Sequence, residues 1–308
     1  MKRILSLLFA IFACAVLLHG CESTTAGGAT GPGRSQFLLI SSEAVNEGAA
    51  KAYRQEMAKA RSVNALNTNA TETRRVSAIT HRLIAQVGVF RADALDWAWE
   101  INVIEDKSIN AYCMPGGKMV IYTGIINELN LTDDELAAII GHEMAHALRE
   151  HSREQISQRL ATTGAVSIGA ALLGLGSATQ DMATLASDLV LTLPFSRSME
   201  IEADTMGMEL MARAGFDPAG AVRVWQKMAA LSGGKSPTTF LSTHPSDSAR
   251  ITNLQNQLPK VIPLFEEAKR SGISSQAQST VPRLAAPARA TSARTTPARS
   301  VPARARRN

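Results

Sequence analysis

The feature of this sequence that most constrains the fold is a helical segment from Leu131 to about Leu160, with the pentapeptide His142-Glu143-Met144-Ala145-His146 at its centre. Thr132 is followed three residues later by Glu135, the pattern of a capping box that begins a helix. Residues four apart share one face of an α-helix, so both imidazoles point at a common spot. Two histidine nitrogens on a rigid face suit Zn²⁺. Because such a pair also arises by chance, a third ligand is needed.

A second acidic segment can supply that ligand. Glu200 and Asp204 are four residues apart near the start of a predicted helix that ends at Gly215. One carboxylate can reach the metal while the other accepts the N–H of a ligand histidine. Two histidines and one carboxylate leave a coordination position for water, and Glu143, offset around its helix, is placed to act as a general base. The alternative is a charged helix start that only complements the helix dipole.

The N-terminus has the pattern of a targeting signal over residues 1–20. Lys2 and Arg3 precede an apolar run, Ile4 to Leu18, that is short for a membrane span. The sequence Leu18-His19-Gly20-Cys21 resembles a bacterial lipoprotein signal, which predicts lipidation of Cys21. Simple secretion with cleavage nearby is the alternative. The predicted location is the periplasm of a Gram-negative bacterium, with the lipid in the outer membrane.

The rest of the chain divides into three predicted parts. Residues 21–36 are small and polar and predict a flexible tether, residues 37–270 form one folded domain, and residues 271–308 lack the apolar content to fold. The formal net charge of +5 comes from arginines in the tail and from the signal. The charge therefore predicts no nucleic-acid surface. The tail is either a solvated segment or a contact for anionic lipid or cell-wall polymer.

A predicted hairpin precedes the pentapeptide helix. Its first strand contains Ala111, Tyr112, Cys113 and Met114, and its turn is Pro-Gly-Gly. Proline confines such a strand to an edge or a turn, and an edge strand can bind an extended peptide substrate through its main chain. An ordinary hairpin is equally compatible with the pattern. Cys113 is expected to fill the core, although a thiol could also reach the metal.

The residues after the pentapeptide are expected to lie outside the site. The predicted solvated face consists of Arg149, Glu150, Arg153 and Glu154. His151 lies five residues past His146, well round a continuous helix, which argues against a ligand. The uncharged segment from Leu160 to Gln180 predicts a buried or site-covering helical hairpin, with a membrane-touching face as the alternative.

Four ordered motifs resemble one enzyme family. They are Asn110–Gly117, His142–His146, Glu200–Asp204 and Thr243–Arg250. In this order they resemble the CAAX prenyl protease and HtpX type of zinc metallopeptidase, and most closely its soluble periplasmic lipoprotein and BepA-like members. The resemblance covers about residues 40–265. It implies an α+β, mainly helical gluzincin-type protease domain with a small edge β-sheet beside the pentapeptide helix, and one Zn²⁺ per chain.

The resemblance also implies a role for each matching residue. His142, His146 and Glu200 would be zinc ligands, Glu143 the general base and acid, and Asp204 the acceptor behind a ligand histidine. His244 would lie near the metal, where it either stabilises the oxyanion or blocks the open position in a resting state. Arg250 would stabilise the charge that develops on the scissile carbonyl oxygen.

These observations predict a zinc endopeptidase that acts on misfolded or unassembled cell-envelope proteins, with the membrane reached through the N-terminal lipid. A protein of another class is the alternative: a holdase or assembly factor for outer-membrane proteins, in contact with the assembly machinery, whose zinc site is mostly silent. A third possibility is a structural lipoprotein that binds the wall through its arginine-rich tail.

Overall fold

The computed structural model describes residues 21–31, 33–162, 194–232, 239–245 and 248–272. In chain order the elements are β1 (Cys21–Glu22), β2 (Gln36–Phe37), α1 (Ser42–Ser62), α2 (Ala70–Ile84), β3 (Glu100–Ile104), β4 (Ala111–Met114), β5 (Lys118–Tyr122), α3 (Thr123–Glu128), α4 (Asp133–Leu148), α5 (His151–Thr162), α6 (Arg197–Arg213), α7 (Ala219–Ser232), α8 (Thr239–Thr243) and α9 (Ser248–Arg270). This confirms the predicted α+β, mainly helical class. Among the described helices, none has the length and apolarity that a membrane crossing requires.

The larger sheet has three strands in the order β3-β5-β4. The central strand β5 is parallel to β3 and antiparallel to β4. The turn between β4 and β5 contains Gly116 and Gly117, both at φ +76, a left-handed conformation that glycine adopts without strain. The Pro-Gly-Gly turn therefore closes a tight hairpin and leaves β4 at one edge of the sheet, packed against α4.

Helix α4 begins with the predicted capping box. The Thr132 hydroxyl accepts a hydrogen bond from the Glu135 backbone N–H at 3.3 Å, and the Glu135 carboxylate accepts one from the Thr132 backbone N–H at 2.9 Å. Lys227 of α7 donates to the same carboxylate at 2.7 Å. Two of the unpaired amides of the first turn are thus satisfied, and the buried helix has a well-defined start.

Helices α4 and α6 pack with their backbones in close contact at two glycines. A Cβ atom on Gly207 would lie 2.7 Å from the backbone nitrogen of His142, and one on Gly141 would lie 2.9 Å from the carbonyl oxygen of Gly207. No larger residue fits this crossing without a shift of the backbone. The close approach is what brings the acidic first turns of α6 beside the histidine face of α4.

The segment predicted as a flexible tether is instead held against the domain. Glu209 of α6 is fully buried, and its carboxylate accepts hydrogen bonds from the backbone N–H groups of Ala29 and Thr30, each at 2.9 Å. The Gln36 side chain donates to the Arg149 carbonyl at 2.6 Å. The prediction was wrong because composition does not reveal that buried acids far along the chain bind this backbone.

The helix predicted to run to about Leu160 is broken after Leu148. Glu150 adopts φ +52, a left-handed conformation, and α5 begins at His151 in a new direction. Arg149, Glu150 and Glu154 were expected to face solvent, but all three are buried, and Arg149 is fully buried. This expectation was also wrong, because these charges are neutralised by partners on other segments.

Several predicted regions lie outside the described residues. They are the signal at 1–20, most of the Leu160–Gln180 segment and the tail from 273 onward. Their assignments stay predictions.

Candidate metal centre

The two histidines of α4 form the first half of the site. His142 and His146 are both buried, and their Nε2 atoms lie 3.1 Å apart. They lie one helical turn apart, so the helix itself sets this separation. Phe195, just before α6, stacks on the His146 ring with 4.0 Å between ring centroids. The pair is therefore held rigidly before any ion is bound.

Helix α6 supplies the carboxylate. The Glu200 Oε1 atom lies 3.4 Å from His146 Nε2, and Oε2 lies 3.5 Å from His142 Nε2. Ser196 caps the helix by accepting a hydrogen bond from the Met199 backbone N–H, which places Glu200 in the first turn. Burial acts to raise the pKa of the Glu200 carboxyl, but the neighbouring His244 and Arg250 outweigh it and hold the pKa well below its usual value. Glu200 is therefore an anion aimed at the imidazoles.

A third histidine completes the cluster. His244, just after α8, places Nδ1 3.2 Å from His142 Nε2 and 3.0 Å from Glu200 Oε1. The ring of Phe240 stacks on it at 4.6 Å between centroids. The potential ligand atoms of His142, His146, Glu200 and His244 all lie within 4.8 Å of one another. His244 thus adds a fourth potential ligand atom beside the three ligands predicted from the motifs.

The donor set fits a zinc ion. The His142 Nδ1 atom lies 3.0 Å from the Asp204 carboxylate, so this nitrogen carries the ring proton and Nε2 keeps a lone pair. His146 Nδ1 is 2.9 Å from a nitrogen of His151, and burial lowers the pKa of His146 well below its usual value, so this ring is neutral. Lone pairs on two Nε2 atoms then face each other at 3.1 Å, an arrangement that a cation relieves. Zn–N bonds of about 2.0–2.1 Å place tetrahedral ligands roughly 3.3 Å apart, close to these separations.

Arg250 lies behind the carboxylates. Its guanidinium donates to both Asp204 oxygens at 2.7 and 2.6 Å and lies 2.5 Å from Glu200 Oε2. The guanidinium also stacks on the Trp225 ring at 3.7 Å. This differs from the expected contact with the oxyanion, because the planar fork is directed at the two acids of α6. Arg250 is therefore placed to hold the acidic side of the site in position.

Glu143 lies on the opposite side of the cluster, toward the sheet. It lines a small cleft together with β4 residues Ala111, Tyr112 and Cys113 and with His244. Among the described residues its Oε1 atom has no hydrogen-bond partner, and the His244 Nε2 atom lies 3.5 Å from it. Burial raises the pKa of the Glu143 carboxyl, and the nearby His244 and His142 oppose that rise. A buried carboxylate with one uncommitted oxygen can accept and return a proton.

Three residues of the edge strand β4, Ala111, Tyr112 and Cys113, line this cleft, and Met114 does not. A hydrogen bond from the Cys113 backbone lowers the pKa of Glu143, so the outer edge of β4 faces the general-base candidate. The Cys113 side chain is buried, and burial raises the pKa of its thiol well above the usual value. A thiol that resists ionisation is a poor metal ligand, which agrees with the expected role in packing.

His151 is the residue that the sequence argument missed. It was predicted not to be a ligand, and it is not among the four clustered ligand groups, but the argument from a continuous helix did not foresee its contact with His146. The left-handed Glu150 instead turns the chain back, and the His151 ring packs edge-on against His146 at 4.9 Å between centroids. The only signal in the sequence is the presence of a third histidine close behind the pentapeptide, and that signal does not predict a contact.

The fold and the donor set define a zinc metallopeptidase centre in which two histidines on one helix meet a glutamate from another, as in the gluzincins. The chain belongs to peptidase family M48, whose model matches residues 70–258. This confirms the resemblance and the zinc assignment made from the motifs.

Individual relatives are similar over the same region. The chain is 39% identical to the mitochondrial metalloendopeptidase OMA1 of Schizosaccharomyces pombe over 60% of this chain and 52% of that protein. It is 30% identical to the metalloprotease LoiP of Escherichia coli over 49% of this chain and 60% of that protein. A putative beta-barrel assembly-enhancing protease of Vibrio cholerae is 29% identical over 60% of this chain and 38% of its own length. The chain thus spans about half of the first of these relatives.

The expected location in a bacterial periplasm is contradicted by these comparisons. The OMA1 proteins of Schizosaccharomyces pombe, Arabidopsis thaliana and Saccharomyces cerevisiae, at 35–39% identity, are named as mitochondrial enzymes, whereas the bacterial relatives match at 29–30%. The prediction was wrong because it depended on the first 22 residues alone, which precede the region that the family model matches. Lipidation of Cys21, whose side chain lies outside the described part of the chain, stays a prediction.

Proposed function

We propose that this protein is a zinc-dependent endopeptidase that hydrolyses peptide bonds in extended segments of unfolded proteins. The observation that carries the proposal is the convergence of two helix-borne histidines and a glutamate beside Glu143, in a cleft bordered by an edge strand. Membership of a metallopeptidase family supports it. The substrate class follows from β4, because main-chain pairing with an edge strand requires an extended peptide and is independent of its side chains.

The residues of the chain divide the work of hydrolysis. His142, His146 and Glu200 would hold the zinc ion, which when bound supplies the Lewis acidity that polarises a peptide carbonyl. Asp204 keeps the proton of His142 on Nδ1, so that Nε2 stays available to the metal. Glu143 would take a proton from the attacking water and return it to the leaving amine. The backbone of β4 would align the scissile bond across the cleft.

Metal removal is the first test. We expect the purified full-length chain to cleave reduced, carboxymethylated α-lactalbumin, and cleavage to fall to background after removal of zinc with 1,10-phenanthroline. One equivalent of Zn²⁺ should restore the activity, because three buried side chains already face one point. Gel analysis of the products and metal analysis of the same samples provide the measurement. Full-rate cleavage by protein verified as metal-free would refute the proposal.

His244 makes the described conformation a closed one, since its Nδ1 atom occupies the corner that a hydrolytic site leaves for water. We expect His244→Ala to raise the rate of cleavage, by on the order of tenfold for a wild type in which about a tenth of the molecules have the position open. Zinc affinity should fall at the same time. A rate below that of the wild type would instead assign His244 a direct role in catalysis.

A further inference from the structure

A buried chain of polar groups extends from the metal ligand His146 away from the cleft. His146 Nδ1 lies 2.9 Å from His151 Nδ1, and His151 Nε2 lies 3.0 Å from Glu202 Oε2. The His151 side chain is fully buried, and the Glu202 side chain is 10% exposed. The chain therefore links the metal ligand to a carboxylate of α6 through one intervening imidazole.

One arrangement of protons in this chain satisfies its contacts and leaves a lone pair on His146 Nε2 for the metal. A carboxylate can only accept, so His151 carries its proton on Nε2 and donates it to Glu202. With its one proton on Nε2, the His151 ring accepts at Nδ1, which lies 2.9 Å from His146 Nδ1. His146 must therefore donate from Nδ1, which leaves the lone pair of its Nε2 directed at His142 and Glu200.

The end of the chain is anchored by two arginines. Arg34 of the N-terminal segment lies 3.0 Å from Glu202 Oε1, and the buried Arg149 lies 3.4 Å from the same atom. Glu202 is thus held in place by Arg34 and Arg149, neither of which belongs to the metal cluster.

The turn that places His151 is itself held in position. Glu150, at φ +52, is bound by Arg91 at 2.8 Å and by Arg153 at 2.6 Å. A left-handed conformation is unfavourable for a glutamate, so the surrounding ion pairs must stabilise it. Glu150, in a strained backbone conformation, therefore brings His151 against His146.

We propose that His151 and Glu202 are positioning residues that fix His146 in the tautomer and orientation in which Nε2 faces the metal. They act on zinc through His146 and do not contact the cleft. Arg34 makes the N-terminal segment part of this support. The inference rests on the proposed function for its kinetic consequences, while zinc affinity tests it separately.

The experiment compares zinc binding by full-length variants in competition with a chromogenic chelator. His151→Phe should lower zinc affinity about 10–100-fold, the usual effect of losing a group behind a ligand histidine. Glu202→Gln keeps the shape but removes the anion, and about a tenfold loss is expected. His151→Gln should recover part of the loss, because its amide can accept from His146 and donate to Glu202. At saturating zinc, kcat should fall while KM stays close to that of the wild type.

Glu154→Gln is the matched control. Glu154 is as buried as the proposed residues and pairs with the same Arg34 at 2.5 Å, but no hydrogen bond joins it to His151 in the described structure. The Glu154→Gln variant should be less stable than the wild type in urea unfolding and should bind zinc with wild-type affinity. If Glu202→Gln and Glu154→Gln lower zinc affinity equally, or if His151→Phe binds zinc like the wild type, the positioning role is refuted.

Failure of a variant to fold and failure of the proposed function can both be told apart from failure of the positioning role. If His151→Phe does not fold, the isosteric Glu202→Gln and the polar His151→Gln decide the question by zinc affinity. If the wild type binds zinc but cleaves no unfolded protein, the proposed function fails, and the affinity series still tests the positioning role.

Discussion

Replacing Glu143 with glutamine is expected to lower the rate of peptide cleavage by at least about 10³-fold, because a general base contributes typically 10²–10⁴ and this residue also returns the proton to the leaving amine. Glutamine has nearly the same volume and cannot take a proton. Folding and zinc content should therefore stay unchanged, since the Glu143 carboxylate is not among the four clustered ligand groups. Single-turnover cleavage of the carboxymethylated substrate, with zinc content measured in parallel, provides the test.

A glutamate-to-glutamine substitution at the surface is the control for the loss of one negative charge. Glu128 is an exposed residue at the end of α3, so the Glu128→Gln variant should cleave at the wild-type rate. The Glu143→Gln variant also separates an enzyme from a holdase, because a holdase would suppress aggregation of an unfolded protein equally well in either form. Cleavage by Glu143→Gln within a factor of about ten of the wild type would be incompatible with a general base at this position.

Replacing Arg250 with methionine is expected to have the largest effect on stability. The guanidinium holds Asp204 at 2.6 Å and Glu200 at 2.5 Å and is only 3% exposed, so its loss leaves two buried carboxylates without their cation. Breaking a buried pair in this way typically costs about 3–5 kcal/mol. Urea unfolding of zinc-loaded and zinc-free protein should show the loss in both. Arg250→Lys should recover only part of it, since an ammonium group lacks the planar fork.

The chain offers a matched surface pair as a control. Arg270 and Glu267 lie 2.6 Å apart, but their side chains are 72% and 69% exposed. Replacement of Arg270 with methionine should therefore change the free energy of unfolding by no more than about 1 kcal/mol. If the Arg250 and Arg270 variants lose equal stability, the buried arginine does not hold the acids of α6.

The parts of the site that could be predicted all depend on short-range geometry. His142 and His146 share a face because the helix repeats every 3.6 residues, and the Thr132–Glu135 capping box fixed where that helix begins. The same rule placed Glu200 and Asp204 together on α6. The order of the strands in the sheet depends on pairing between distant residues. The Pro-Gly-Gly turn was nevertheless enough to predict the hairpin and its edge strand.

The parts that could not be predicted depend on contacts between distant segments. Arg250 was expected near the substrate, and the structure directs it at two acids on another helix. The stretch from Arg149 to Glu154 reads as a solvated face, because an isolated charge gives no sign of a partner more than a hundred residues away, such as Arg34. Buried ion pairs of this kind follow from tertiary packing and leave no periodic pattern.

The sequence alone predicted a mainly helical metallopeptidase with a two-histidine, one-glutamate zinc site. The helix repeat places the two histidines on one face, and the family resemblance supplied the glutamate. Only the tertiary structure showed that His244 places a fourth potential ligand atom beside these three and that His151 lies against His146. His244 follows a short helix that is joined to distant segments by backbone hydrogen bonds, from the Phe195 N–H to the Thr243 carbonyl and from the Phe240 N–H to the Ile109 carbonyl. His151 follows a left-handed residue, Glu150, that is bound by Arg91 of a distant segment and by Arg153 of α5. The direction of a side chain that follows a loop or a helix break depends on contacts across the whole fold. It cannot be predicted from the local sequence.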